Sequence, residues 1–133
     1  MCPLTNNEIE AANRAESTAL LIRAGYRVYR PEADCYGEDL IVRTPDEKLL
    51  SVQLKGRLSV DKKRYWNRNL WMLFPDSPFS VGVKRRWFLV PHDEFYTWLE
   101  GRHGHTAGWK EIWNSGTVGK KDAGFLDGYP SFT

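Results

Sequence analysis

The sequence predicts an α/β domain, and three observations carry the prediction. A helix-period segment near the N-terminus lies between cap-forming residues and a glycine. Two strand-like runs then flank a short turn, and further strand-like runs are followed by a second, shorter helical segment. The chain has 133 residues, 14% of them aromatic and six of them Trp, which is enough large apolar surface for a modest core. No internal repeat or linker divides it, so residues 1–133 read as one domain.

The first helix is expected over residues 8–24, with Thr5 or Asn6 as its cap and Gly25 as its stop. Stepping about 100° per residue gathers Ile9, Ala12, Ala15, Ala19, Leu20 and Ile22 on one face. Glu16 falls within that face, where a carboxylate is costly to bury without a partner, so it is a candidate site residue. Arg23 shares the face and offers the alternative of a structural ion pair.

Next come strands over Asp39–Arg43 and Leu49–Lys55, joined by the turn-forming Thr44-Pro45-Asp46-Glu47-Lys48. The period of two sends Leu50, Val52 and Leu54 to a core face and Ser51, Gln53 and Lys55 to a face left for function or solvent. Counting back from Arg43 opposite Leu49 sets Asp39 opposite Gln53. A register slip of one residue would turn Asp39 to the other face. Arg57 to Asn69 is a loop or a short helix. Asn69–Phe74 and Arg86–Val90 are strands separated by Pro75-Asp76-Ser77-Pro78, and Pro91 stops the second. Asp93 is expected to cap a helix reaching Glu100, with Phe95, Trp98 and Leu99 inward and Gly101 ending it. From about residue 102 the glycines and scattered aromatics read as an irregular tail, laid against the domain or used in self-association.

Asp39, Gln53 and Lys55 on one patch combine hard oxygen donors with an ammonium. Such a set, with the main-chain carbonyl of Leu54, suits Mg²⁺ or Mn²⁺ that keeps positions for water and phosphate. A lysine beside the cation eases hydroxide formation and stabilises charge building on a phosphorane-like transition state. That chemistry is phosphodiester hydrolysis. The same alternation also describes a half-exposed strand with no chemistry at all.

At these residues the chain resembles the PD-(D/E)XK nuclease superfamily, which has a restriction-endonuclease-like fold. The ordered set is a helix with Glu16, then Gly25-Tyr26-Arg27-Val28, Gly37-Glu38-Asp39-Leu40-Ile41-Val42 and Val52-Gln53-Leu54-Lys55-Gly56. The resemblance implies an αβββαβ core with a mixed central sheet flanked by helices. It implies a Mg²⁺-dependent endodeoxyribonuclease in which Asp39, Gln53, Lys55 and Glu16 are catalytic and Asp39, Gln53, Leu54 and Glu16 hold the metal. Two positions depart from the motif: Glu38 stands for its Pro, and Gln53 for its Asp or Glu. A Gln at that position is similar to homing-endonuclease-like and resolvase-like branches, and it shifts metal affinity toward Asp39 and Glu16. A domain of this size presents one site, so cutting both strands favours a homodimer or homotetramer.

The net charge of +2 is unevenly spread. Lys55, Arg57, Lys62, Lys63, Arg64 and Arg68 face only Asp61 between positions 55 and 68, and Lys84, Arg85 and Arg86 form a second cluster. Arg57, Lys62, Lys63, Arg64 and Arg68 are candidate DNA-backbone contacts, and Tyr65, Trp66 and Trp71 beside them are candidates for base stacking. The rival expectation is a catalytically inactive nucleic-acid-binding or protein-interaction module that uses the same basic surface or the aromatic tail. His92, His103 and His105 lack metal-ligand spacing and read as surface histidines. Cys2 and Cys35 read as reduced thiols. No apolar run reaches membrane length and no basic-then-apolar leader pattern opens the chain, so a cytoplasmic location is expected. No Gly-rich phosphate loop, nucleophile elbow or dinucleotide fingerprint occurs.

Overall fold

Thr5 and Glu8 start the first element. Glu8 N–H donates to Thr5 Oγ1 (3.2 Å) and Thr5 N–H to Glu8 Oε1 (2.9 Å), a reciprocal cap that opens helix α1 (Asn6–Arg23). Such a cap contributes about 1 kcal/mol. At the other end Gly25, at φ +91°, takes the left-handed conformation that stops the helix. The computed structural model describes residues 2–33 and 38–133. Cys35 and Gly37, both singled out in the sequence, lie outside the described residues.

The inward face of α1 differs from the expected one. Asn13, Ser17 and Leu21 are buried at four-residue spacing, whereas Ala15 and Ala19 are exposed and Ile22 is 58% exposed. Asn13, in the N-terminal half of the helix, meets Gly56 and Arg85, whereas Leu21 near its end packs into apolar surface. Ser17 resolves its own burial by donating to Asn13 O (2.8 Å).

Strands β1 (Arg27–Tyr29), β2 (Leu40–Arg43) and β3 (Leu49–Leu54) form an antiparallel meander. The chain continues through β4 (Leu58–Asp61) and one helical turn, α2 (Lys62–Tyr65), into β5 (Leu70–Pro75), which pairs parallel with β3. Strand β6 (Trp87–Pro91) is antiparallel to β5. The main sheet has the order β1-β2-β3-β5-β6-β8 with β8 (Ser131–Phe132) at the edge, and β4 pairs separately with β7 (Ile112–Ser115). The molecule is thus an α/β protein with a mixed six-stranded sheet. The hairpin register is the expected one: Arg43 opposes Leu49, Leu40 opposes Val52, and Asp39 N–H donates to Val52 O (2.8 Å).

Both faces of the sheet are covered. On one, Leu40, Val42, Val52, Leu73, Trp87 and Leu89 pack with Leu21 of α1. On the other, Met72, Phe74, Phe88 and Val90 pack with Phe95, Tyr96 and Leu99 of α3 (His92–His103). Gln53 is the register partner of Met72, so the face of β3 expected to be open leads into this second core, and Gln53 is only 9% exposed.

Two further expectations are corrected. Helix α3 begins at His92 with Pro91 in the cap position, and it passes through Gly101 to end at His103. The tail from residue 102 is not irregular: β7 pairs with β4, α4 (Lys120–Leu126) buries Leu126 in the second core, and β8 pairs with β6. Tail residues complete the domain instead of decorating it. No helix among the described residues is long and apolar enough to cross a membrane.

His92 is not a surface histidine but fully buried, between Tyr65 and Tyr96 (ring centroids 5.5 and 6.1 Å). Its Nε2 accepts from Asp61 N–H (3.0 Å), so the proton sits on Nδ1, 2.8 Å from Asp93 Oδ1. Burial holds the imidazole below its ordinary value of 6.5, against the opposing pull of Asp93 and Asp61. The unfolded chain therefore binds more protons just below that value, and the stability His92 contributes is complete above it and lost as the pH falls. Urea unfolding at pH 7.5 and 5.5 is expected to show a smaller loss at the acid value for His92→Phe than for the wild type. Equal losses would mean that His92 titrates alike in both states.

Candidate functional site

The site forms where β2 begins and β3 ends. Antiparallel register turns the backbone groups of Val52 and Leu54 toward β2, and Asp39, just before that strand, meets them. Asp39 Oδ2 accepts from Leu54 N–H (2.9 Å) and from Gln53 Nε2 (2.8 Å). The acid and the amide are therefore joined across the hairpin. Leu54 directs its main-chain carbonyl to the same edge, because the N–H and C=O of one strand residue point to the same neighbour.

Lys55 follows at the strand end. Its N–H donates to Leu73 O (2.9 Å), and its Nζ stands 5.5 Å from the centroid of Tyr65, a buried residue of α2. Asp61 fixes that turn by accepting from Arg64 N–H (3.2 Å). Asp39, Gln53, Leu54 and Lys55 all line one cavity of about 580 Å³.

Helix α1 supplies the opposite wall through Glu10, Asn13 and Arg14, and Arg30 closes the rim after β1. Close approach of helix and strand depends on Gly56, where an added Cβ would stand 3.0 Å from Asn13 Nδ2. Among the described residues Glu10, Arg14, Arg30 and Lys55 form no salt bridge. These charged groups share a cavity without neutralising one another, which leaves them disposed toward a charged ligand.

Glu16 is not brought to this cavity. Its carboxylate accepts from Arg85 through Nε (3.2 Å) and Nη2 (3.0 Å), and from Trp87 Nε1. Arg85, not Arg23, is thus the ion-pair partner of Glu16. Arg85 also donates to Asn13 Oδ1 (2.6 Å) and Ser77 O (2.9 Å), and it is 2% exposed.

The expected backbone-binding residues are divided. Lys63 and Arg68 are exposed, and Arg57 lines a groove that adjoins the cavity. Lys62 is engaged by Glu111 (3.6 Å) and lies over Trp66 (5.0 Å), and Arg64 lies over Tyr65 (5.4 Å). Of the aromatics only Trp66 is exposed; Tyr65 and Trp71 pack with the cores. In the second basic cluster Lys84 is exposed, Arg85 is buried, and Arg86 pairs with Asp127 (3.3 Å).

Glu10, Arg14 and Arg30 were missed by reading the sequence for an apolar face. The signal that marks the helical pair is the polar stripe Glu10, Asn13, Arg14, Ser17 at helix spacing. Among the described residues no cluster of three or more His, Cys, Asp or Glu side chains is arranged to hold a metal. The donors at hand are the carboxylates of Asp39 and Glu10, the amide oxygen of Gln53 and the carbonyl of Leu54. All are hard oxygens, too few for a closed cage, so the set fits a cation such as Mg²⁺ or Mn²⁺ that retains water and takes phosphate oxygens.

Fold and site define an α/β protein with an acid–amide–lysine cluster at the end of its central hairpin. Comparison with protein-family models, with curated proteins and with solved structures found no match to this chain.

Proposed function

We propose that this protein is a metal-dependent endonuclease with a restriction-endonuclease-like core, hydrolysing DNA phosphodiester bonds in the cytoplasm. The observation that carries the reading is Asp39 holding both Gln53 and the backbone of Leu54 while Lys55 lines the same cavity. The order helix, antiparallel meander, then a strand parallel to β3 supports the fold part of the reading, with β4 and the turn α2 inserted between β3 and β5.

In this proposal Asp39, Glu10, Gln53 and the Leu54 carbonyl would hold Mg²⁺ or Mn²⁺. When bound, the cation neutralises phosphate charge and lowers the pKa of water. Gln53 already gives its amide N–H to Asp39, which orients the amide and leaves its oxygen for the cation. Lys55 stabilises the negative charge that grows on the phosphoryl oxygens. Arg14 and Arg30 hold phosphates beside the reacting one, and Arg57, Lys63 and Arg68 extend the contact along the backbone. Glu10 replaces Glu16 as the helical acid, since Glu16 is committed to Arg85 and Trp87. Cleavage of both strands takes two copies of the site, which keeps a homodimer or homotetramer within the reading.

Nicking of supercoiled DNA in Mn²⁺ but not in EDTA is the expected result. Nicking that survives EDTA, or DNA binding without nicking in either cation, would overturn the proposal, and the second outcome identifies a binding module. The helical acid is tested separately by Mn²⁺ binding followed by electron paramagnetic resonance. Glu10→Gln is expected to weaken it at least about tenfold, whereas Glu16→Gln leaves it unchanged.

A further inference from the structure

A second groove, of about 700 Å³, adjoins the cavity and shares with it the wall of Glu10, Asn13, Lys55 and Gly56. Its far side is the β4–β7 ribbon. Ser59 and Asn114 are register partners, so their side chains lie side by side on the ribbon face toward the groove, while Leu58 and Val60 turn into the core. Phe79 and Ile9 supply the apolar part, and Phe79 is backed by the guanidinium of Arg85 at 5.5 Å from its ring centroid. Arg57 stands at the groove with no ion pair among the described residues.

We infer that this groove binds an unpaired nucleotide adjoining the scissile phosphate, so that the substrate is a single strand, a flap or a junction with displaced bases. The inference rests on the nuclease reading for the position of the phosphate. A volume of this size is that of a small-molecule pocket, about 300–1,000 Å³. A base inside a duplex has both faces covered by its neighbours and enters a concave pocket only when taken out of the stack. The chemistry of the walls matches a nucleoside better than a row of phosphates. Amides and a hydroxyl suit base edges, an aromatic and an aliphatic side chain suit its faces, and Arg57 and Lys55 suffice for the attached phosphate.

The test uses the full chain in EDTA, where binding is read without cleavage, with a fluorescein-labelled ten-nucleotide oligothymidylate and a duplex of the same length. The single strand is expected to bind about tenfold more tightly than the duplex. Phe79→Ala should remove most of that preference, and Asn114→Trp, which fills the groove from an exposed ribbon position, should do the same without disturbing Arg85. Equal binding of both probes, or a preference untouched by Asn114→Trp in a folded protein, overturns the inference. Cleavage in Mn²⁺ of the same single-stranded probe, run beside supercoiled DNA, separates the two readings. Cleavage of either with equal probe binding sinks the groove and leaves the nuclease, while a groove-dependent preference without cleavage of either sinks the nuclease and leaves a single-strand-binding site.

Discussion

Lys55→Ala is expected to lower metal-dependent nicking by about 100-fold or more, with the folded protein nearly as stable as the wild type. The side chain is half-buried at the cavity, and its packing partner is the Tyr65 ring at 5.5 Å, a contact contributing about 0.5–1 kcal/mol. Thermal unfolding should therefore move by only a few degrees. Activity and stability separate because the ammonium acts on charge that exists only in the transition state. The companion variant is Asp39→Asn, not Asp39→Ala. Alanine would strip the acceptor from Leu54 N–H and Gln53 Nε2, at a cost of about 1–3 kcal/mol for a buried donor left unpaired. Asparagine keeps an acceptor oxygen in place and removes the negative charge, so a loss of Mn²⁺ binding by Asp39→Asn reports on charge. If Lys55→Ala and Asp39→Asn both nick at wild-type rates, the cavity is not where the chemistry happens.

The register that joins Asp39 to Gln53 was legible because local chemistry fixes it. A five-residue loop limits the ways two strands can meet, and Thr44 N–H to Lys48 O (2.8 Å) with Glu47 at φ 69° closes it as the turn residues suggest. A period of two then propagates the pairing to the strand ends without further information. The helix was harder to read. Its ends are written in Thr5, Glu8 and Gly25, but its facing side is set by what lies beneath, and beneath its first half lie Gly56 and Arg85 instead of apolar residues. Periodicity alone therefore points to the stripe of alanines and Ile22 as the inner face, and it does not reveal that Glu10, not Glu16, lines the cavity. The tail failed for another reason. Strand β7 pairs with β4 and strand β8 with β6, partners more than forty residues distant in sequence, and no short-range pattern records such pairing. His92 escaped notice likewise, since it is buried by Tyr65 and Tyr96 from two different helices.

Arg85→Ala is expected to destabilise the protein by about 3–5 kcal/mol, the cost of removing one partner of a buried ion pair. Four groups lose a donor at once: both oxygens of Glu16, Asn13 Oδ1 and Ser77 O. For a chain of this length the midpoint of thermal unfolding should fall by about 10–15 °C. Glu16→Gln also costs stability, because the fully buried Arg85 guanidinium loses its counter-charge and one amide oxygen replaces the two carboxylate oxygens that accept from Arg85 and Trp87. Replacing both, as Arg85→Met with Glu16→Leu, removes the charges together and should recover a good part of the stability lost by Arg85→Ala, as expected when the penalty lies in an orphaned charge. The same network reaches the cavity through Asn13, which Arg85 holds at 2.6 Å and which packs on Gly56. Arg85→Ala should therefore also slow nicking, through a loosened wall and not through a lost ligand, so its Mn²⁺ affinity stays near that of the wild type. The decisive comparison is Glu16→Gln. A variant that keeps wild-type nicking and loses stability makes Glu16 the counter-ion of Arg85, whereas one that keeps its stability and loses nicking would return Glu16 to the chemistry.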